Sequence, residues 1–326
     1  MSQEVDLSVV SLSLGNREGD HQYIGDFFGK KVYIARIGTN GNIYLLKDMI
    51  KFFNDLPPGK ITKSHNFIKD FDIPRVPDTL GLGGTTIYLW KGKTFKEGVL
   101  LRDISYRIPM LDGYLIKMSL EYMVTKEIIS RGFLSGKKVL LTSAVDREGM
   151  ALALVEGKSI GTVGDVIYGD LMYLLGIGVP IYNIKVLNFI TQLLYPIAHN
   201  MSISFFYPQG EKQKERVVKW EKWQNWANCI AGDFHQMFTP LIKDLTGKII
   251  LTNTTTSKEV EELKSRGLNT LITTTPDFDG RSFGTNVIEA LFVALGAKPL
   301  NINDYRNMVI NLGWRAQPRF FNKIFQ

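Results

Sequence analysis

The sequence predicts an α/β protein, with a small N-terminal α/β lobe followed by a Rossmann-like parallel-sheet domain. Three observations carry this. The second half alternates short apolar runs with helical stretches: Lys137–Ala144, Ser159–Tyr168, Cys229–Ala231, Lys248–Thr252 and Thr270–Thr275, against helices opening near Glu148, Ser257 and Asn286. Such alternation implies parallel βαβ units with right-handed crossovers. Polar residues close these runs, namely Asp146, Asp170, Asp233, Asn253 and Thr275. In open parallel sheets the ligand lies beyond the carboxyl ends of the strands, so these residues mark the expected site.

The first third reads as a separate lobe. Val5–Leu14 and Lys31–Ile37 are β-rich. Asn42–Asn54 has the helical spacing Ile43, Leu46, Met49, Ile50, Phe53 and stops at Pro57-Pro58-Gly59. Lys60–Pro77 reads as a surface insertion and Asp78–Trp90 as a buried strand with the turn Gly81-Leu82-Gly83-Gly84. Ile116–Ile129 is helical, and a boundary is expected near Phe133–Gly136. The expected domains are residues 1–133, 134–300 and a tail, 301–326. Between the second and third runs, Ile184, Leu187, Ile190, Leu193, Leu194 and Ile197 share one helical face, read as a core helix covering the sheet. Glu211–Trp226 reads as an amphipathic surface helix.

Composition narrows the class. The chain has 326 residues, 44% hydrophobic and 22% charged, enough for two domains with buried cores. One cysteine, Cys229, excludes an intramolecular disulfide framework and multi-thiolate zinc sites. The N-terminus lacks a basic region followed by an apolar core, so a cytoplasmic protein is expected. The net charge of +7 is interleaved along the chain. That fits a solvated surface rather than a nucleic-acid site. The expected partners are a small-molecule substrate and further copies of the chain. Peripheral membrane contact through the apolar insert is an alternative.

Four constellations carry possible chemistry. Thr142-Ser143-Ala144-Val145-Asp146-Arg147-Glu148-Gly149 joins a strand to its helix, where dinucleotide sites hold pyrophosphate on backbone N–H groups. Gly149 keeps one glycine of that pattern, with Ser143 and Asp146 in place of the others. Asp170 follows Gly149 at the distance expected of a ribose-binding carboxylate. Alternatively, Ser143 or Asp146 caps the helix. In Gly232-Asp233-Phe234-His235, Gly232 permits close backbone approach and His235 or Asp233 suits acid–base work. Asn253-Thr254-Thr255-Thr256 and Thr273-Thr274-Thr275 place hydroxyls at two strand ends. Arg281 suits recognition of an anionic group. No metal motif, P-loop or G-x-S-x-G elbow is present.

The segments TSAVDREGMALALVE, VIYGDLMYLLGI, ANCIAGDFH, GKIILTNT and TTTPDFDGRSFGTNVIEAL together resemble the bacterial family labelled quinate 5-dehydrogenase. More distantly the layout resembles shikimate/quinate dehydrogenases and acyl-carrier-protein reductases. The resemblance implies NAD or NADP, a cleft between lobes, and a final helix returning to the first lobe. The Lys/Asp catalytic pair of the shikimate enzymes has no counterpart here, and the nucleophilic cysteine of the acyl reductases aligns with Asn286. The expected function is therefore an NAD(P)-dependent oxidoreductase acting on a small hydroxylated or carboxylated substrate. Cofactor contacts are expected from Ser143, Asp146, Arg147, Gly149, Asp170, Gly232, Asn253, Thr254, Thr273, Thr274 and Thr275. Catalysis is expected from His235, Asp233 and Arg281. The alternatives are a hydrolase, lyase or transferase using an Asp/His cluster without a dinucleotide, and a non-catalytic ligand-binding protein.

Overall fold

The computed structural model describes residues 4–59, 70–207, 209–210 and 216–321. The chain is α/β and divides into two compact units. Residues 1–116, 209–213 and 284–312 form the first. Residues 117–208, 214–283 and 313–326 form the second. The boundary thus falls at Ile116–Lys117 rather than near Phe133, and the expected tail is shared between the units. Most of the expected insertion, residues 60–69, lies outside the described residues.

In the first unit, β1 (Leu7–Ser13), β2 (His21–Phe27), β3 (Lys30–Gly38) and β4 (Thr79–Gly83) form the main sheet. A small hairpin follows, β5 (Tyr88–Trp90) and β6 (Lys93–Thr94), and β7 (Met110–Leu111) completes the sheet in the order β2-β3-β1-β4-β7. All neighbours are parallel except β2, which returns antiparallel along β3. Asp78–Trp90 is therefore two strands, because the chain breaks at Gly84, where φ is +71°. The central β1 is buried on both faces, as a covered parallel strand must be. The helix Thr285–Ala294 belongs to this unit. Thr79 Oγ1 donates to the Ala290 carbonyl at 2.9 Å and Asn286 Nδ2 donates to Ser11 Oγ at 2.6 Å. Asn286 is thus a packing residue.

In the second unit, β8 (Val139–Leu141), β9 (Val166–Tyr168), β10 (Cys229–Gly232), β11 (Ile249–Thr252) and β12 (Thr270–Thr273) run parallel in the order β12-β11-β10-β8-β9. The hairpin β13 (Asp277–Phe278) and β14 (Arg281–Ser282) follows, and β15 (Gln317–Phe320) closes the edge antiparallel to β12. Ser159–Tyr168 contributes strand only from Val166, since its first half finishes a helix and a turn. Leu140, Ile230, Phe234, Phe238, Ile250 and Leu271 anchor the core.

Two expectations about helices change. Glu221–Trp226 is the helical part of the predicted Glu211–Trp226. Residues 216–220 are not helical and 211–215 lie outside the described residues. The insert Ile184–Ala198 is a helix, but Leu187 is its single fully buried side chain among the described residues. Leu193 and Ile197, expected to face inward, are exposed. A third feature was hidden: Lys117–Glu121 winds as a π turn ahead of the helix Tyr122–Ser130.

Gly149 sits where the helix Glu148–Ser159 crosses that π turn. A Cβ there would lie 1.8 Å from the Lys117 carbonyl oxygen. Its missing side chain serves close packing rather than approach to a ligand. Gly149→Ala is expected to lower stability by about 3 kcal/mol in urea unfolding, as overpacking at a rigid contact does. The exposed Lys264→Ala should stay within about 0.5 kcal/mol.

Candidate functional site

In the second unit the chain passes from β8 to β9 on one side and then crosses to β10 on the other. That reversal makes the gap between β8 and β10 the switch point, where open α/β sheets bind ligands. The loops leaving these two strands carry Asp146-Arg147 and Gly232-Asp233. Gly232 has φ +142°, and a Cβ there would meet Thr142 Oγ1 at 2.0 Å, so the two strand ends are drawn tightly together.

Arg147 fills the gap. Its guanidinium lies 2.7 Å from Glu121 Oε1, 2.9 Å from Asp146 Oδ2 and 2.6 Å from Asp233 Oδ2. Lys117 Nζ holds the other oxygen of Asp146 at 2.6 Å. Asn253 Nδ2 donates to Asp233 at 3.0 Å, and Asp233 in turn caps the helix Phe234–Phe238 by accepting from Gln236 N at 3.1 Å. The members are nearly all enclosed, and Asp233 is the most open of the five charged groups, with its side chain 14% exposed. Buried charges persist only when paired this completely.

The titration behaviour follows from this packing. Burial pushes the Asp146 carboxyl upward, but the charges of Arg147 and Lys117 outweigh it and hold the group at about 2. Burial raises Glu121, and Arg147 and Lys117 offset this only in part. Burial together with Asp146 and Asp233 lifts the Tyr207 hydroxyl well above its ordinary range.

The other nominated residues have definite places. Asp170 does not face a ribose: its carboxylate accepts from Val145 N at 2.9 Å, Ala144 N at 3.1 Å and Ser143 Oγ at 3.4 Å, fixing the β8 loop from beneath. Burial raises it to about 6 despite these donors. Asn253 Oδ1 accepts from Phe234 N at 3.2 Å and Thr254 N at 2.9 Å. Thr254 donates to the Ser282 carbonyl and Thr275 to the Asn253 carbonyl. Thr274 Oγ1 reaches Glu121 Oε1 at 3.5 Å, while Thr273 ends β12 opposite Gln317. His235 stands apart, its Nδ1 4.0 Å from Glu259 Oε1. Arg281 lies in the β13–β14 hairpin, opposite Phe278, with its guanidinium 5.9 Å from the Phe283 ring. Cys229 is buried on β10, its thiol pushed by burial to about 12.

Sequence reasoning missed Lys117, Glu121 and Tyr207. The first two form an i, i+4 pair on a predicted helix and so read as a solvated face. The π turn widens the helix and buries both. Among the described residues, no group of three or more His, Cys, Asp or Glu side chains is placed to hold a metal. The metal-binding form of the Asp/His cluster in the second enzymatic reading is thus not seen among the described residues. The first unit separately holds a cavity of about 480 Å³, walled by Tyr88, Arg102, Tyr106 and Leu300 with Glu289 at its base.

The two shifted aspartates act in adjacent pH windows with opposite sign. Asp146 is depressed from 3.8, so its contribution is present above about pH 4 and is lost as pH falls toward 2, about 2 kcal/mol in all. Asp170 is raised, so ionising it costs stability of similar size as pH climbs from about 4 to 6. Urea unfolding across pH 2.5–7 should show Asp170→Asn removing much of the fall in the upper window. Lys117→Met should shrink the rise in the lower one. Identical pH profiles for all three proteins would contradict these assignments.

Similarity to known proteins bears on these readings. Solved structures that align with the chain include a periplasmic solute-binding protein of an ABC transporter from Actinobacillus succinogenes with bound D-allose (8% identity, 91% of this chain and 92% of that one, TM-score 0.34). A galactofuranose-binding protein aligns at 9% identity over 97% and 95%, TM-score 0.35. A periplasmic ribose ABC transporter protein from Conexibacter woesei aligns at 9% identity over 98% and 93%, TM-score 0.36. Likeness this faint transfers neither a ligand nor a compartment. No curated protein sequence matches the chain. Three expectations are corrected: kinship with quinate 5-dehydrogenase, NAD(P)-dependent oxidoreductase activity and a cytoplasmic address. The family profiles that match are of unknown function and carry no dehydrogenase description, and nothing in these comparisons supports a cytoplasmic address. At the switch point itself, Arg147 and its carboxylates fill the gap between the two strand ends. A profile described as a domain of unknown function, DUF8753, matches residues 8–55, and one described as a domain of unknown function, DUF8754, matches residues 115–320. The second match spans more than half of the sequence, and the chain belongs to the DUF8754 family.

Proposed function

We propose that the protein is a non-catalytic binding protein for a small, uncharged, hydroxylated molecule received at the strand ends of the second unit. The observation that carries this is the lack of any surplus positive charge at the site. Three carboxylates, Glu121, Asp146 and Asp233, face two cations, Lys117 and Arg147. No positive charge is left over for a phosphate or carboxylate, so anions are disfavoured. Hydroxyls suit the groups gathered here, because Asp233 and the threonines accept hydrogen bonds while Asn253 and Tyr207 donate as well.

The same geometry speaks against bond-making. Asp233 is held by Arg147 and Asn253, and the Cys229 thiol is buried and protonated. His235 is turned toward Glu259 rather than toward the network. A general base must reach the substrate directly, and each of these groups is instead buried or faces a protein partner.

The cavity of the first unit supports a second location for the ligand, since its volume and its tyrosine walls suit a small molecule. A thermal-shift panel of pentoses, hexoses, polyols, sugar phosphates and NAD(P)⁺ tests the proposal and separates the two places. Neutral hydroxylated compounds should raise Tm, by about 2.7 kcal/mol of linkage at a hundredfold excess over Kd. The shift should disappear in Asn253→Ala and persist in Tyr106→Ala. The reverse pattern would move the site to the first unit. Stabilisation by phosphorylated compounds or dinucleotides alone would refute the reading.

A further inference from the structure

We infer that the helix Ile184–Ala198 is a self-association face, pairing antiparallel with the same helix of a second copy across a two-fold axis. Ten of its fifteen side chains are apolar, and a helix this apolar is ordinarily well enclosed. Here the outer stripe Val186, Phe189, Leu193 and Ile197 is open to solvent, extended by Tyr182 before it and Phe205 after it. These six side chains are 49–69% exposed. Each offers on the order of 100 Å² of apolar surface, so the patch presents roughly 600 Å². Two copies would bury about 1,200 Å², the lower edge of the range for specific interfaces. Patches of this size on soluble proteins mark interaction surfaces.

The charges select the occupant. From Gly176 to Phe206 the one ionisable side chain of fixed charge is Lys185, in the first turn of the helix. A cation there opposes the partial positive charge of its own helix N-terminus. In an antiparallel pair each Lys185 lies beside the C-terminal end of the partner helix, where the dipole favours it. Fifteen residues span about 22 Å, so the two lysines stand some two Debye lengths apart and do not repel. A parallel pair would place them side by side. An anionic bilayer is the poorer fit, because the stripe itself carries no fringe of Lys or Arg on its polar side.

The experiment uses the full chain at micromolar concentration. Sedimentation equilibrium should give about 74 kDa, twice the 36.9 kDa chain. Phe189→Glu and Leu193→Glu, both at solvent-exposed positions, should each raise the dimer Kd at least a hundredfold with unchanged circular dichroism. For the orientation, Gln192→Cys near the middle of the stripe should cross-link to itself on mild oxidation. Lys185→Cys should cross-link to Asn200→Cys but not to itself. Cys229 is buried and leaves the background silent. A monomeric wild type would overturn the proposal, as would a dimer indifferent to both glutamates. Lys185→Cys linking to itself would overturn the antiparallel arrangement. A monomer that pellets with phosphatidylcholine–phosphatidylglycerol vesicles would assign the face to lipid instead.

Discussion

A guanidinium buried among three carboxylates is costly to assemble and costlier to leave incomplete. Arg147 is such a group, and the strand ends of the second unit are arranged around it. Moving one charge out of water costs several kcal/mol even after relaxation, and removing a single partner strands the rest. Glu121 arrives from the π turn, Asp146 from the loop after β8 and Asp233 from the loop after β10. Three separate pieces of chain must therefore settle together. Asp170 and Asn253, by holding the loop backbones, fix the positions those carboxylates take up.

This arrangement sits in a region with the layout of a nucleotide site. The switch point has the right topology, with β8 and β10 side by side and helices following each strand. Yet Gly232 lets Thr142 close in from one strand to the next, Gly149 lets a helix press against the π turn, and Arg147 occupies the gap. What remains is a set of mostly buried hydroxyl, amide and carboxylate groups with no surplus positive charge. The proposed binding of neutral polar molecules rests on these groups.

Much of the fold was legible because the physics behind it is local. Short β-branched runs and the helical spacing of Asn42–Asn54 are written in neighbouring residues. The strand-end polar residues were also legible as a group, and several do meet: Asp146, Arg147, Asp233 and Asn253 form one network. Their roles were not legible, since a sequence does not show whether a carboxylate faces a ligand or an arginine. The spacing of Gly149 and Asp170 imitates a dinucleotide motif, while both residues serve packing and loop support. Lys117 and Glu121 were hidden by a change of helical pitch. The antiparallel β15 was hidden because it depends on contacts distant in sequence.

The central claim is that Arg147 and Asp233 lock the switch-point gap, and a double-mutant cycle tests it most directly. Arg147→Met, Asp233→Asn and the double variant would be compared with the wild type by urea unfolding at neutral pH. The account predicts a loss of about 3–5 kcal/mol for Arg147→Met. It also predicts a coupling energy of about 2 kcal/mol, because the second substitution relieves a charge the first has stranded. Additivity within about 0.5 kcal/mol would contradict it, and would mean that the gap between β8 and β10 is open to a ligand after all.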